Sequence, residues 1–271
     1  MGNVLFFDID GTLIDYHGNM PASTKSALEQ ARRNGHQIVI CSGRARFQIA
    51  EELLQYADGL VGATGAYAEF QGNILYEHFM PAEIVQEVCE VLKEASAYAI
   101  GMSGKTTMMN RDCREYMKDR FEREFNEKKK FDRVFGDSIM TDRLDIFFDI
   151  QKMLYYNSVQ EVDQIAERLS HICDVTASSF EKRVVDSGEI TLKGINKSYG
   201  MRRYMELQKL STRKTIAFGD GPNDMDMIEY ADIGVVMGNG RAELKEKADF
   251  VTKNVEEDGI YYAMRHLHLI D

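Results

Sequence analysis

At 271 residues the chain is long for one compact core, so one large domain or a domain with a sizeable insert is expected, and 44% hydrophobic with 28% charged residues is an ordinary globular balance. A formal net charge of -11 argues against a surface built to hold a nucleic-acid backbone, and no apolar run approaches the length of a membrane span. The cysteines Cys41, Cys89, Cys113 and Cys173 are widely spaced without neighbouring histidines. With no signal-peptide pattern at the start, they predict a reduced, cytoplasmic setting and no zinc site.

Val4 to Phe7 reads as a short buried strand that Asp8 and Asp10-Gly11-Thr12 close. Ala27, Leu28 and Ala31 recur at helical spacing over Ser23 to Arg33, with Gly35 as the stop, and Ile38 to Cys41 is a second buried strand ended by Ser42-Gly43-Arg44. This is a βαβ unit. A helix is predicted over Arg46 to Gln55, then a strand over Gly59 to Gly62 and a hairpin of Tyr67 to Phe70 with Ile74 to Tyr76 around Gln71-Gly72-Asn73.

From about residue 81 to 185 the pattern changes. Helices over Ala82 to Ala95, Cys113 to Glu127 and Val159 to Leu169 are interleaved with strands over Ala97 to Met102, Thr106 to Met109, Met153 to Tyr156 and Lys182 to Asp186. After Thr191 the βαβ rhythm returns: a helix near Ile195 to Leu207, a strand over Thr215 to Phe218, a helix over Asn223 to Tyr230, a strand over Ile233 to Val236 and a helix near Arg241 to Lys247. The expected organisation is an α/β core with a Rossmann-like, doubly wound parallel sheet in two parts, 1–80 and 186–271, interrupted by an α+β module over 81–185.

In such a sheet ligands bind beyond the carboxyl ends of the strands, where Asp8, Ser42 and Asp220 fall. A carboxylate at the end of a core strand needs something to repay its desolvation, and a metal ion or a reacting phosphoryl group would do so. Asp8 and Asp10 lie two apart, so on an extended strand they would share a face. One could attack phosphorus and the other serve as acid and base. So dense a negative site needs a hard cation, and carboxylate oxygens suit Mg²⁺. Ser42 and the Gly43 N–H at a helix entrance offer neutral donors, and Lys197 at a helix start offers a positive one.

The ordered set DIDGT, CSGR, GINK and GDGPND resembles the haloacid dehalogenase-like superfamily, and CSGR followed by an insert resembles its Cof-type phosphatase branch. The resemblance implies Asp8 as nucleophile and metal ligand, and Asp10 as acid/base that binds Mg²⁺ through its carbonyl. It implies Ser42, Gly43, Lys197 and Asn223 around the phosphoryl group, Asp220 on the metal, and Asp224 supporting them. It also implies a small phosphorylated metabolite as substrate and the insert as a substrate-selecting cap. A phosphomutase or phosphotransferase, or a non-catalytic phosphate-ligand binding protein, would keep the same motifs. Thr64-Gly65-Ala66, Ser198 and Gly240 depart from the pattern without removing a catalytic group.

Two weaker motifs are set aside. Ser103-Gly104-Lys105-Thr106 lacks the first glycine of a nucleotide-binding P-loop and alternates like a hairpin, and Cys41 lacks the arginine of a cysteine-phosphatase loop. The methionines and tyrosines of the insert, among them Met102, Met108, Met117 and Tyr155, could line a substrate lid but read better as ordinary core.

Overall fold

The computed structural model describes residues 2–125, 128–177 and 186–271, and the chain divides into two compact units. The first comprises Met1–Gly43, Ile49–Tyr76 and Asn196–Asp271. The second comprises Arg44–Gln48 and Glu77–Ile195.

The chain begins with β1 (Val4–Phe7), buried throughout, then α1 (Ala22–Arg33) and β2 (Gln37–Cys41). α1 turns Ala27, Leu28 and Ala31 inward and is followed by Gly35 at φ +83°, a conformation that glycine adopts without steric cost. The helix expected over Arg46 to Gln55 does not form as one piece. Arg46–Gln48 is a 3-10 turn and only Glu51–Leu54 (α2) is helical, because Ala50 is extended, the Phe47 amide donates to the Gly104 carbonyl and the Ala45 amide is taken by the Gln48 side chain. β3 (Gly59–Gly62) comes next, then the hairpin β4 (Tyr67–Phe70) and β5 (Asn73–Glu77). Gln71 and Gly72 both take positive φ, the two-residue turn whose twist suits a hairpin.

The second unit runs α3 (Ala82–Glu94), β6 (Tyr98–Met102), β7 (Thr107–Met109), α4 (Arg111–Phe125), α5 (Lys128–Phe135), β8 (Ile139–Met140), β9 (Lys152–Tyr156), α6 (Val162–Leu169), β10 (Cys173–Ala177) and β11 (Gly188–Leu192). Its sheet is ordered β10-β11-β9-β6-β7-β8. One face packs on α3 and α6 through Val85, Val88, Met153, Tyr155 and Ile165. The other packs on α4 and α5 through Ile100, Met102, Met117, Phe131 and Leu154. Met102, Met108, Met109, Met117 and Met153 are therefore core, whereas Met140 is exposed. The strand expected over Lys182 to Asp186 lies, but for its last residue, outside the described residues. β11, which pairs with both β9 and β10, carries this unit past residue 185 to Ile195. Ser103–Thr106 is the turn between β6 and β7, closed by Ser103 N–H to the Thr106 carbonyl, and not a phosphate loop.

The chain returns to the first unit with α7 (Lys197–Leu207), β12 (Thr215–Gly219), α8 (Met225–Tyr230), β13 (Ile233–Val236), α9 (Ala242–Lys245), β14 (Phe250–Val251) and α10 (Gly259–His266). The first sheet is ordered β14-β13-β12-β1-β2-β3-β4-β5, parallel from β14 through β3. This is the Rossmann-like arrangement expected. Phe7 of β1 stacks on Phe218 of β12 with ring centroids 4.4 Å apart, and Phe6 meets Tyr204 of α7 edge-on. Such ring pairs add about 1 kcal/mol each beyond simple burial and hold β1 in register between its neighbours. β12, β1 and β2 are adjacent and run the same way, so their carboxyl ends open on one side of the sheet.

Candidate active site

Asp8 is the first residue past β1, and its amide donates to the Phe218 carbonyl of β12. Ser42 follows β2 with its amide on the Val61 carbonyl of β3, and Asp220 follows β12. Asp8, Ser42 and Asp220 are each 7% exposed or less. After Asp8 the chain leaves the strand. The Ile14 and Thr12 amides both turn back to the Ile9 carbonyl, and Asp10 bridges Ile14. The expectation that Asp8 and Asp10 share one face of an extended strand is therefore wrong, because Asp10 sits in a tight turn.

Lys197, the first residue of α7, is completely buried and donates from Nζ to Asp8 Oδ1 at 2.6 Å and to Asp224 Oδ1 at 2.5 Å. Its place is set locally. The Asn196 side chain caps α7 by accepting from the Tyr199 amide, and Asp226 accepts from the Ser198 amide at 2.6 Å. Gly65, at φ +96°, lets the Asn196 carbonyl come so close that any Cβ there would lie 2.0 Å from it. Lys193, the other lysine near this turn, is exposed to solvent and donates to the Ser170 carbonyl of the second unit.

Carboxylate oxygens of Asp8, Asp220 and Asp224 lie within 4.8 Å of one another. The Asp10 side chain is not one of that trio. Asp224 is engaged on both oxygens: Oδ1 holds Lys197, and Oδ2 accepts from the amides of Asp220 and Gly221, both at 2.9 Å. Its geometry is that of a brace for Lys197 and the Asp220 loop, which leaves Asp8 and Asp220 as the carboxylates able to take a further ligand.

Three carboxylates face one ammonium, so the cluster carries a surplus of negative charge in a nearly dry place. Burial pushes the Asp8 carboxyl well above its ordinary range. Lys197 opposes this, but Asp224, Asp220 and Asp10 add to it. Burial, then the charge of Asp224, pushes Asp220 up to about 7. Burial alone would lower the Lys197 ammonium, yet the charges of Asp224 and Asp8 outweigh it and hold the group protonated well above the usual lysine range. Hard oxygen donors with unmatched negative charge fit a divalent cation such as Mg²⁺.

Some expected parts are arranged differently. The Gly43 N–H does not sit at an α-helix entrance, since the next element is the 3-10 turn Arg46–Gln48. Asn223 is half-buried in a 3-10 turn, Pro222–Asp224, just past β12. The Cys41 thiol is fully buried, and burial holds it far from its reactive thiolate form.

Sequence reasoning did not single out Thr12, Tyr16 and Asn239, which surround Asp220. Thr12 Oγ1 donates to Oδ1 at 3.3 Å, Tyr16 Oη to Oδ2 at 2.9 Å and the Asn239 amide to Oδ2 at 3.4 Å. Burial, then Asp220, raises the Tyr16 phenol to about 12. Gly11, at φ +80°, lies against this carboxylate so closely that a Cβ would meet Oδ2 at 2.2 Å. Thr12 lay within a recognised motif. Tyr16 and Asn239 carried no signal, because only the fold brings their loops to Asp220.

A parallel α/β sheet with acidic loops and a buried lysine gathered at its carboxyl edge defines a class of hydrolytic phosphoryl-transfer proteins. The chain belongs to the haloacid dehalogenase-like hydrolase family, whose model matches residues 5–264, and it is an enzyme of the phosphatase kind. It is 30% identical to YkrA of Bacillus subtilis over 270 residues, 98% of each chain, and 24% identical to phosphatase YwpJ of the same organism over 287 residues, 97% of this chain and 99% of the relative. It is also similar in structure to the haloacid dehalogenase subclass IIB sugar phosphatase BT4131, with a TM-score of 0.80, 26% identity and coverage of 99% of this chain and 100% of that one. Among the described residues no helix is long and apolar enough to cross a membrane.

Proposed function

We propose that the chain is a Mg²⁺-dependent phosphatase of small phosphorylated metabolites that works through an aspartyl-phosphate on Asp8. The observation that carries this is the Lys197 bridge, 2.6 Å to Asp8 and 2.5 Å to Asp224, beside a third carboxylate, Asp220. A protein that only bound phosphate would not gain from three buried carboxylates, since they repel the dianion.

Mg²⁺ would be held by Asp8, Asp220 and the Asp10 carbonyl, and when bound it supplies the positive charge that lets the carboxylates and the phosphate dianion share the site. An Asp8 carboxylate oxygen forms a bond to phosphorus as the bond to the leaving oxygen breaks. Asp10 gives that oxygen its proton. The ionised Asp10 then takes a proton from water, whose oxygen attacks phosphorus and releases Asp8 and inorganic phosphate. Lys197, Ser42, the Gly43 N–H and Asn223 hold the phosphoryl oxygens, and Lys197 also favours the ionised form of Asp8 against its burial. Asp224 and Asp226 place Lys197 and do not touch the reacting atoms. The second unit is assigned the selection of the leaving group, by its likeness in kind to a cap.

Asp8→Asn should abolish turnover of a generic aryl phosphate in the presence of Mg²⁺ while leaving the circular-dichroism melt intact. Undiminished Mg²⁺-dependent hydrolysis by that variant would end the proposal. A rate screen over sugar phosphates, nucleotides and phosphorylated cofactors then ranks substrates, with sugar phosphates first because the structurally similar BT4131 is a sugar phosphatase.

A further inference from the structure

We infer that Tyr16 is a positioning residue for Asp220, whose hydroxyl fixes that carboxylate as a ligand for the divalent cation. The inference rests on the metal-binding reading above and concerns a residue outside the recognised motifs.

An ionised carboxylate offers about four acceptor directions, two on each oxygen. On Asp220, Oδ2 receives Tyr16 at 2.9 Å and Asn239 at 3.4 Å, and Oδ1 receives Thr12 at 3.3 Å. Both directions on Oδ2 are used and one on Oδ1 is left. The carboxylate is thus turned so that Oδ1 is the oxygen able to meet a cation. Gly11 forms the wall beside it, where a Cβ would strike the carboxylate.

Of the three donors Tyr16 makes the shortest bond. Asn239 is itself a strut, donating to the Gly11 carbonyl and accepting from the Val255 amide, so its amide is shared among several partners. Tyr16 is presented by a turn in which Asp15 Oδ1 accepts from the His17 and Asn19 amides. It remains 64% exposed, yet its hydroxyl reaches a carboxylate that is only 7% exposed. An ordinary surface tyrosine would leave that hydroxyl to water. Partners of this kind, one step removed from the cation, commonly change metal affinity by about 10–100-fold when lost.

The test is isothermal titration of Mg²⁺ alone into the full chain, stripped beforehand with chelator, for the wild type, Tyr16→Phe, Tyr16→Ala and, as a control on another exposed tyrosine, Tyr262→Phe. Tyr16→Phe should weaken the Mg²⁺ dissociation constant about tenfold, with Tyr16→Ala equal to it and Tyr262→Phe like wild type. At saturating Mg²⁺ the kcat of Tyr16→Phe should stay within about twofold of wild type, the signature of lost metal affinity and not of lost chemistry. Equal or tighter binding by Tyr16→Phe overturns the inference, as does weakening by Tyr16→Ala alone, which would assign the effect to ring packing. If wild type binds and Tyr16→Phe binds equally, only this inference falls. If wild type binds no Mg²⁺, the metal-binding reading falls with it.

Discussion

Among the described residues each unit buries one lysine, and the two are balanced differently. In the second unit Lys152 of β9 is 3% exposed and meets a single carboxylate, Glu189 of β11, at 2.6 Å. In the first, Lys197 is 0% exposed and stands among three. Taking an ammonium out of water costs several kcal/mol, which a close carboxylate offsets in part. Lys152 and Glu189 set one charge against one. The Lys197 cluster has charge left over, the imbalance on which the proposed cation and phosphate site rests.

The sharpest way to break the comparison is to remove each ammonium. Lys197→Met should lower kcat by about 100–1,000-fold at saturating Mg²⁺, measured on the best substrate of the screen, because a donor aimed at the transferring group is lost. Lys152→Met should instead cost about 3–5 kcal/mol of stability in urea unfolding, since the buried Glu189 carboxylate loses the ammonium 2.6 Å away. Its Mg²⁺ affinity should not change. The double variant Lys152→Met with Glu189→Leu should return to within about 1–2 kcal/mol of wild type. A double variant as unstable as the single one would show that the pair does more than balance itself.

The smallest expected effect is on pH dependence. Asp220 has its carboxyl raised from 3.8 to about 7 in the metal-free fold. The stabilisation linked to its proton is therefore complete below the unfolded value and is lost as pH rises through about 7. In chelator the melting temperature should fall between about pH 5 and pH 8, and saturating Mg²⁺ should flatten that fall. Asp220→Asn should make the fall shallower without metal, with the raised Asp8 carboxyl still contributing. A melting temperature that rises over the same interval in chelator would contradict the charge imbalance.

The sequence made the central strands legible for a plain reason: Val4–Phe7, Gln37–Cys41 and Thr215–Gly219 are short apolar runs buried on both faces, each closed by a polar turn. The same feature exposed the acids, since Asp8 and Asp220 interrupt such runs. Strands with mixed patterns were harder. β10 and β11, CDVTA and GEITL, carry Asp174, Thr176, Glu189 and Thr191 toward one face, and the buried Glu189 accepts from Lys152 of β9. Neither strand announces itself locally. The expected helix over Arg46 to Gln55 failed because Gly104, far along the chain, captures the Phe47 amide and Ala50 is extended. Tyr16 is the clearest case, for its partner lies 204 residues away and no local pattern connects them.

The acidic centre joins distant parts of the polypeptide: Lys197 meets Asp8 across 189 residues and Thr12 meets Asp220 across 208. Closing loops of that size is slow compared with forming the local turns of either unit. Asp8 is made before its lysine, and the two meet only when the segment from α7 to β12 has docked. A product of translation cut short before that segment lacks Lys197, Asp220 and Asp224, and keeps Asp8 without any of its partners in the cluster.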